Sequence, residues 1–210
     1  MKAFTVMGRT LKAGYEELFL CVFLSLVWWA GTLLIVTAAP VTLGLHKVTN
    51  RIANYKRVDS GFFWEAARSN VGRGWLLYLL HVLIPLAVLF NVYFYISSPV
   101  FWMRIIAIAW LWIMLLIAMM MQYLFPLFWQ QDEPDFKLIL RNGMLLALRY
   151  PLYTFLMLVF QIIIIVLSVV LTLPLLLLMP ALVGLAANFA LVGVLQEMGL
   201  APQPPVVSPN

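Results

Sequence analysis

Long, nearly uninterrupted apolar runs alternate along the chain with short polar connections, and that alternation predicts an all-α, polytopic transmembrane helical bundle. Crossing about 30 Å of hydrocarbon takes roughly 20 apolar residues in a helix. Runs that serve this purpose lie at about 18–43, 75–96, 101–129, 152–178 and 181–195, which gives about five spans. The first contains Trp28-Trp29 and ends in Thr37-Ala38-Ala39-Pro40. Proline there bends or ends the helix, because its ring removes a backbone donor and crowds the preceding turn. The third is longer than a span needs and must tilt or protrude. The last opens after Pro180, is short, and is rich in Ala, Gly and Val.

Between the spans the pattern changes. Residues 1–17 mix apolar and charged side chains and read as an interfacial helix. In the connection 44–74, Leu45, Val48 and Ile52 mark one apolar face, and Phe62, Phe63, Ala66 and Ala67 mark another. This predicts two short helices on the membrane surface, separated by Asp59-Ser60-Gly61. The connection 130–151 ends in a further amphipathic stretch, closing on Arg149-Tyr150-Pro151. A weak repeat links the two. Phe63 to Asn70 precedes Arg73 and the second span, as Phe136 to Asn142 precedes Arg149 and the fourth. Two spans separate the copies, so they share a membrane face and form a parallel repeat. Residues 1–200 thus make one domain, followed by a proline-rich tail, 201–210, expected to be extended.

Composition agrees with a membrane setting. The chain of 210 residues is 65% hydrophobic and 10% charged, whereas soluble domains average about 45–50% and about 25%. A domain of this size cannot hide the excess in its own interior, so lipid must cover it. The net charge is +5. Its cations sit beside spans, where anionic lipid headgroups and orientation explain them better than nucleic acid does. With five spans, Lys2, Arg9, Lys12 and Arg104 fall on one side, and the other Lys and Arg fall opposite. The positive-inside rule then puts the N-terminus outside and the C-terminus in the cytoplasm. No cleavable signal is expected, since charges punctuate the N-terminus before any apolar run. The single cysteine, Cys21, can form no internal disulfide and reads as small apolar filler.

Trp28-Trp29, the stretch Thr37 to Leu45, the basic segment after it and Phe62-Phe63 together resemble the YesL-like family of small bacterial integral membrane proteins. Tyr123 to Leu127, Leu140 to Gly143 and Arg149-Tyr150-Pro151 are similar to that family's second half. The resemblance covers most of residues 8–195 and leaves out the tail. It implies a multi-pass bacterial inner-membrane protein of unknown activity, sometimes associated with carbohydrate uptake. It supplies no catalytic residues.

The polar residues at depth are few. No acidic residue lies inside a span, which weakens an ion-coupled transporter reading. His46 and His81 are the weak candidates for binding a cofactor such as haem or a pigment, but two histidines make no zinc site, and the expectation is no cofactor and no metal. Asn91, Gln122, Gln161 and Asn188 sit in four different spans, where hydrocarbon offers no partner, and are expected to bond between helices. Gly184, Ala187 and Leu191, with Ala190 and Gly193, give the last helix a face that admits close approach. Its neighbour is expected to be the chain's own second or third span, or a helix of another subunit. No nucleophile–base pair, phosphate loop or metal motif occurs, so the expected function is not enzymatic. The expectation is an accessory or scaffold subunit of a larger membrane complex, in contact with lipid and other membrane subunits. The alternative is a transport-associated protein, auxiliary to a sugar importer or a small-solute permease.

Overall fold

The computed structural model describes residues 2–204, and the side chains of residues 3–204. Among them the chain is an all-α bundle with no strand. Its N-terminal helix α1 (Lys2–Glu16) turns by 88° into α2 (Leu18–Leu33). Four stretches are long and apolar enough to cross a membrane: Val71–Ile96, Phe101–Gln130, Pro151–Leu171 and Met179–Glu197. The bent pair α1–α2 would make a fifth. The chain is a multi-pass membrane protein. Of the proline-rich tail, residues 205–210 lie outside the described residues, and the part before them folds back, with Pro202 accepting from Gln196 Nε2 at 2.6 Å.

The expected first span, 18–43, is two helices. α2 stops at Leu33, and α3 runs Ala38–Ala53 after a break in which Ile35 has φ 56°. Pro40 does not end a helix here. It sits in the first turn of α3, where its missing N–H would have had no partner in any case. The hydroxyl of Thr37 donates to the Gly31 carbonyl at 2.6 Å and ties the two ends of the break together. α3 then packs back along α2: Trp28 Nε1 donates to Thr42 Oγ1 at 3.0 Å, and a Cβ on Gly31 would meet Val41.

α3 is also the larger correction. Its second half was expected as a surface helix, yet Leu45, Val48, Thr49 and Asn50 are all buried. The apolar stripe meets other helices instead of lipid, and small residues let them close in from several sides. At Gly44 a Cβ would lie 2.8 Å from the Phe63 carbonyl oxygen of α4 (Ser60–Ser69). At Gly184 it would lie 2.5 Å from Leu45, so α3 also touches α11 (Met179–Glu197).

α4 leads into the span α5 (Val71–Ile96), and α6 (Phe101–Met121) returns beside it. α6 loosens at Gln122–Tyr123 before the short α7 (Leu124–Gln130), where Pro126 cannot donate to the Gln122 carbonyl. The amphipathic α8 (Phe136–Arg149) follows, then the span α9 (Pro151–Leu171). The expected run to 178 is cut at Thr172, φ 55°, and the rest forms α10 (Leu173–Leu177).

The two amphipathic helices are built alike. Asp59 caps α4 by accepting from Gly61 N at 2.7 Å, and Asp135 caps α8 by accepting from Lys137 N at 3.0 Å. Each then meets its span through one residue of similar conformation, Asn70 (φ −125°, ψ 34°) and Tyr150 (φ −127°, ψ 57°). Counted from these junctions, buried Gly74, Leu77 and Val88 of α5 stand where buried Thr154, Met157 and Ser168 stand in α9. The caps pair Phe63 with Ile139, both fully buried, and not with Phe136 as the sequence repeat suggests. The copies meet where Asn54 Nδ2 donates to Gln130 Oε1, 76 residues apart, the same separation as the two capping aspartates.

Gly44→Ala should lower the stability of the purified protein by about 1–3 kcal/mol, because the added methyl meets a backbone carbonyl that no rotamer change can move. Gly72→Ala, with open space around its Cβ, is the control and should be neutral or better. Thermal unfolding in detergent compares them, and equal midpoints would contradict the α3–α4 packing.

Candidate functional site

The polar residues at depth gather into two clusters. The first joins α11 to α3. Asn188 Nδ2 lies 2.9 Å from Thr49 Oγ1, 2.9 Å from the Gly184 carbonyl and 3.2 Å from His46 Nδ1. Its two hydrogens are shared among three acceptors. Its Oδ1 accepts from Asn50 Nδ2 at 3.1 Å. Thr49 passes its own hydrogen to the Leu45 carbonyl at 2.9 Å, which frees its oxygen to accept. Asn54 continues the chain, donating to the Asn50 carbonyl at 2.9 Å. Asn188 and Thr49 are fully buried. No water is needed to satisfy them.

The second cluster joins the end of α6 to α9. Gln161 Nε2 donates to Gln122 Oε1 at 2.8 Å, and Gln122 Nε2 donates to the Thr154 carbonyl at 3.1 Å. Beside it, Tyr123 OH and Thr154 Oγ1 are 2.8 Å apart. The repeat relates the two clusters. By the spacing of the aspartate caps, Gln122 stands where His46 stands in the first copy. Counted from the junctions, Gln161 stands where His81 stands. One copy therefore carries two amides, and the other carries two imidazoles at the matching places.

Those imidazoles do not bond as the glutamines do. Both meet the ring of Phe125, His46 stacked at 4.7 Å and 7°, His81 tilted at 5.2 Å and 59°. His81 Nδ1 is buried with no partner among the described residues. Neither group sits with enough further ligands for a metal: among the described residues no three His, Cys, Asp or Glu side chains converge.

Other expected residues fall elsewhere. Asn91 does not bond between helices, but donates to the Ala87 carbonyl of its own α5 at 2.8 Å. Gly184, Ala187 and Leu191 are buried, and Gly184 faces α3 of the same chain. The helix expected on the membrane surface is thus the neighbour that this glycine admits. Lys47 also turns inward, its Nζ 4.3 Å from the centroid of Trp129, whose Nε1 donates to the Leu43 carbonyl at 3.1 Å. Thr49, Asn50, Asn54 and Thr154 were not singled out from the sequence. The first three stand in a stretch expected to lie on the membrane surface, and Thr154 at the start of a span. An open cleft of about 520 Å³ lies between α1, the end of α3 and α11, lined by Arg9, Lys12, Glu16, Glu17, Tyr55 and Lys56 among others.

Gln122→Leu and Gln161→Leu, alone and together, should show a coupling of about 1 kcal/mol in a double-mutant cycle read by unfolding in detergent. Asn91→Leu should change stability by less than about 0.5 kcal/mol, since no second helix loses a partner. Gly184→Leu should leave the protein unstable by itself, because the new side chain meets Leu45 inside the same chain. A stable Gly184→Leu variant would refute that contact.

No protein-family model, curated protein or solved structure matches the chain.

Proposed function

We propose that the protein is a non-catalytic accessory or scaffold subunit of a larger assembly in the bacterial inner membrane. The observation that supports this most is how the polar groups at depth are used. Asn188, Asn50, Thr49, Gln122, Gln161 and Thr154 bond to one another and to the backbone, and so tie helices together. The outer halves of α5 and α6 and one flank of α9, by contrast, present large apolar side chains. Phe90, Trp112 and Val170 are among the most exposed, at 66%, 69% and 73%. A rigid interior with an apolar exterior suits packing against lipid and against the spans of another subunit. The resemblance to YesL-like proteins belongs to the same proposal. The two capped helices and junctions, 59–70 and 135–150, overlap the segments that carry it.

The test is a photo-crosslinking amino acid at Phe90, Trp112 or Val170 in cells. The expected outcome is a discrete adduct with another membrane polypeptide that co-purifies in native detergent. Adducts with lipid alone at all three positions, from a protein that purifies as a monomer, would refute the subunit reading.

A further inference from the structure

We infer that α2 and α3 form a hairpin that enters the bilayer from one face and returns to it, so that both chain ends and all the basic connections share a single face. The N-terminal helix carries the argument. Arg9 Nη1 of α1 donates to Gln196 Oε1 at the C-terminal end of α11, at 3.2 Å, and a Cβ on Gly193 would lie 3.0 Å from Val6. Further along α1, Lys12 and Glu16 share one cleft with Tyr55 and Lys56, which follow α3. Asn54 beside them bonds Gln130, where the second connection begins. α1, the loops after α3 and α7, and the end of α11 therefore lie together. α2 leaves that end and reaches α10, where Trp29 Nε1 donates to the Leu175 carbonyl at 3.0 Å. α3 brings the chain back, with Gly184 against Leu45 and Asn188 against Asn50 in the same direction as α11.

The five-span reading places α1 opposite these loops because it runs one span through 18–43 and leaves the second half of α3 on the membrane surface. With α3 returning through the bundle, α1 changes sides. Lys2, Arg9 and Lys12 then join the other cations, and of the chain's 13 Lys and Arg only Arg104 remains apart. Arg104 lies at the α5–α6 turn, its Nε donating to the Ser98 carbonyl at 2.9 Å. The hairpin tip suits hydrocarbon or its edge, since Leu33, Leu34, Ile35 and Val36 are exposed and carry no charge. A charge division this uneven assigns the basic face to the cytoplasm. The partner it fits there is the acidic phospholipid of the inner leaflet, drawn by Lys and Arg close to the membrane surface.

Single cysteines test the arrangement in a Cys21→Ala background: Gly8→Cys on α1, Asp132→Cys in the second connection and Ser97→Cys at the α5–α6 turn. Gly8 is suited to this, because nothing lies within 4 Å of its Cβ. In intact spheroplasts a membrane-impermeant thiol reagent should label Ser97→Cys alone, and the other two should label only after the membrane is broken. A fluorescent protein that matures only in the cytoplasm gives a second readout that needs no substitution within the fold. Fused before Met1, and separately after Asn210, it should fluoresce in both cases. Labelling of Gly8→Cys in intact spheroplasts, or a dark N-terminal fusion beside a bright C-terminal one, would overturn the inference.

Discussion

The structure depends on burying a helix that carries polar side chains inside the bundle. α3 brings Thr49, Asn50 and Asn54 into the bundle, and each must find a partner there. Asn188 on α11 supplies most of the answer, reaching His46, Thr49 and Asn50 through one amide. That amide can arrive only because Gly184, one turn earlier, lets the two backbones approach. A β-carbon at 184 would move the helices apart and take Asn188 away from His46, Thr49 and Asn50. Close packing and polar satisfaction are therefore one condition here, met or lost together.

The internal repeat shows what α11 changes. Each copy has a helix, an aspartate-capped amphipathic helix, a sharp junction and a span. In the second copy the paired side chains, Gln122 and Gln161, bond directly. In the first, α11 packs against α3 and Asn188 takes the Nδ1 of His46. His81 meets Phe125 of the other copy instead. His81, whose Nδ1 has no partner among the described residues, stands where Gln161 stands in the copy that does not hold the extra helix.

Much of this was legible in the sequence. The spans of α5 and α6–α7 lie close to where the apolar runs put them, and the interhelical bonds of Gln122, Gln161 and Asn188 follow from polar groups that hydrocarbon cannot solvate. The interruption at Thr172 has one mark in the sequence, Pro174, which stands in the first turn of α10 and cannot continue the hydrogen bonding of α9. Pro40 was visible but ambiguous. A proline ends one helix or begins another, and the choice depends on whether the preceding turn can break. Here it breaks at Leu34 to Thr37, among residues that read as the middle of a span.

The case of α3 has a more general cause. Leu45, Val48 and Ile52 repeat at helical spacing, and that periodicity says one face is covered without saying what covers it. Lipid headgroups and another helix ask for the same stripe. α4 and α3 carry similar stripes, and only α3 is buried on most sides. What separates them is the small residues of α3, Ala39, Gly44 and Ala53, on positions outside the stripe. A surface helix has no use for small residues there, whereas a helix enclosed by neighbours needs them. Because each passage through a bilayer reverses the side on which the chain emerges, assigning this one helix also decides where the N-terminus lies. On the hairpin we infer, the side of the membrane that Arg9 and Lys12 share with the other cations therefore follows from the small residues of α3.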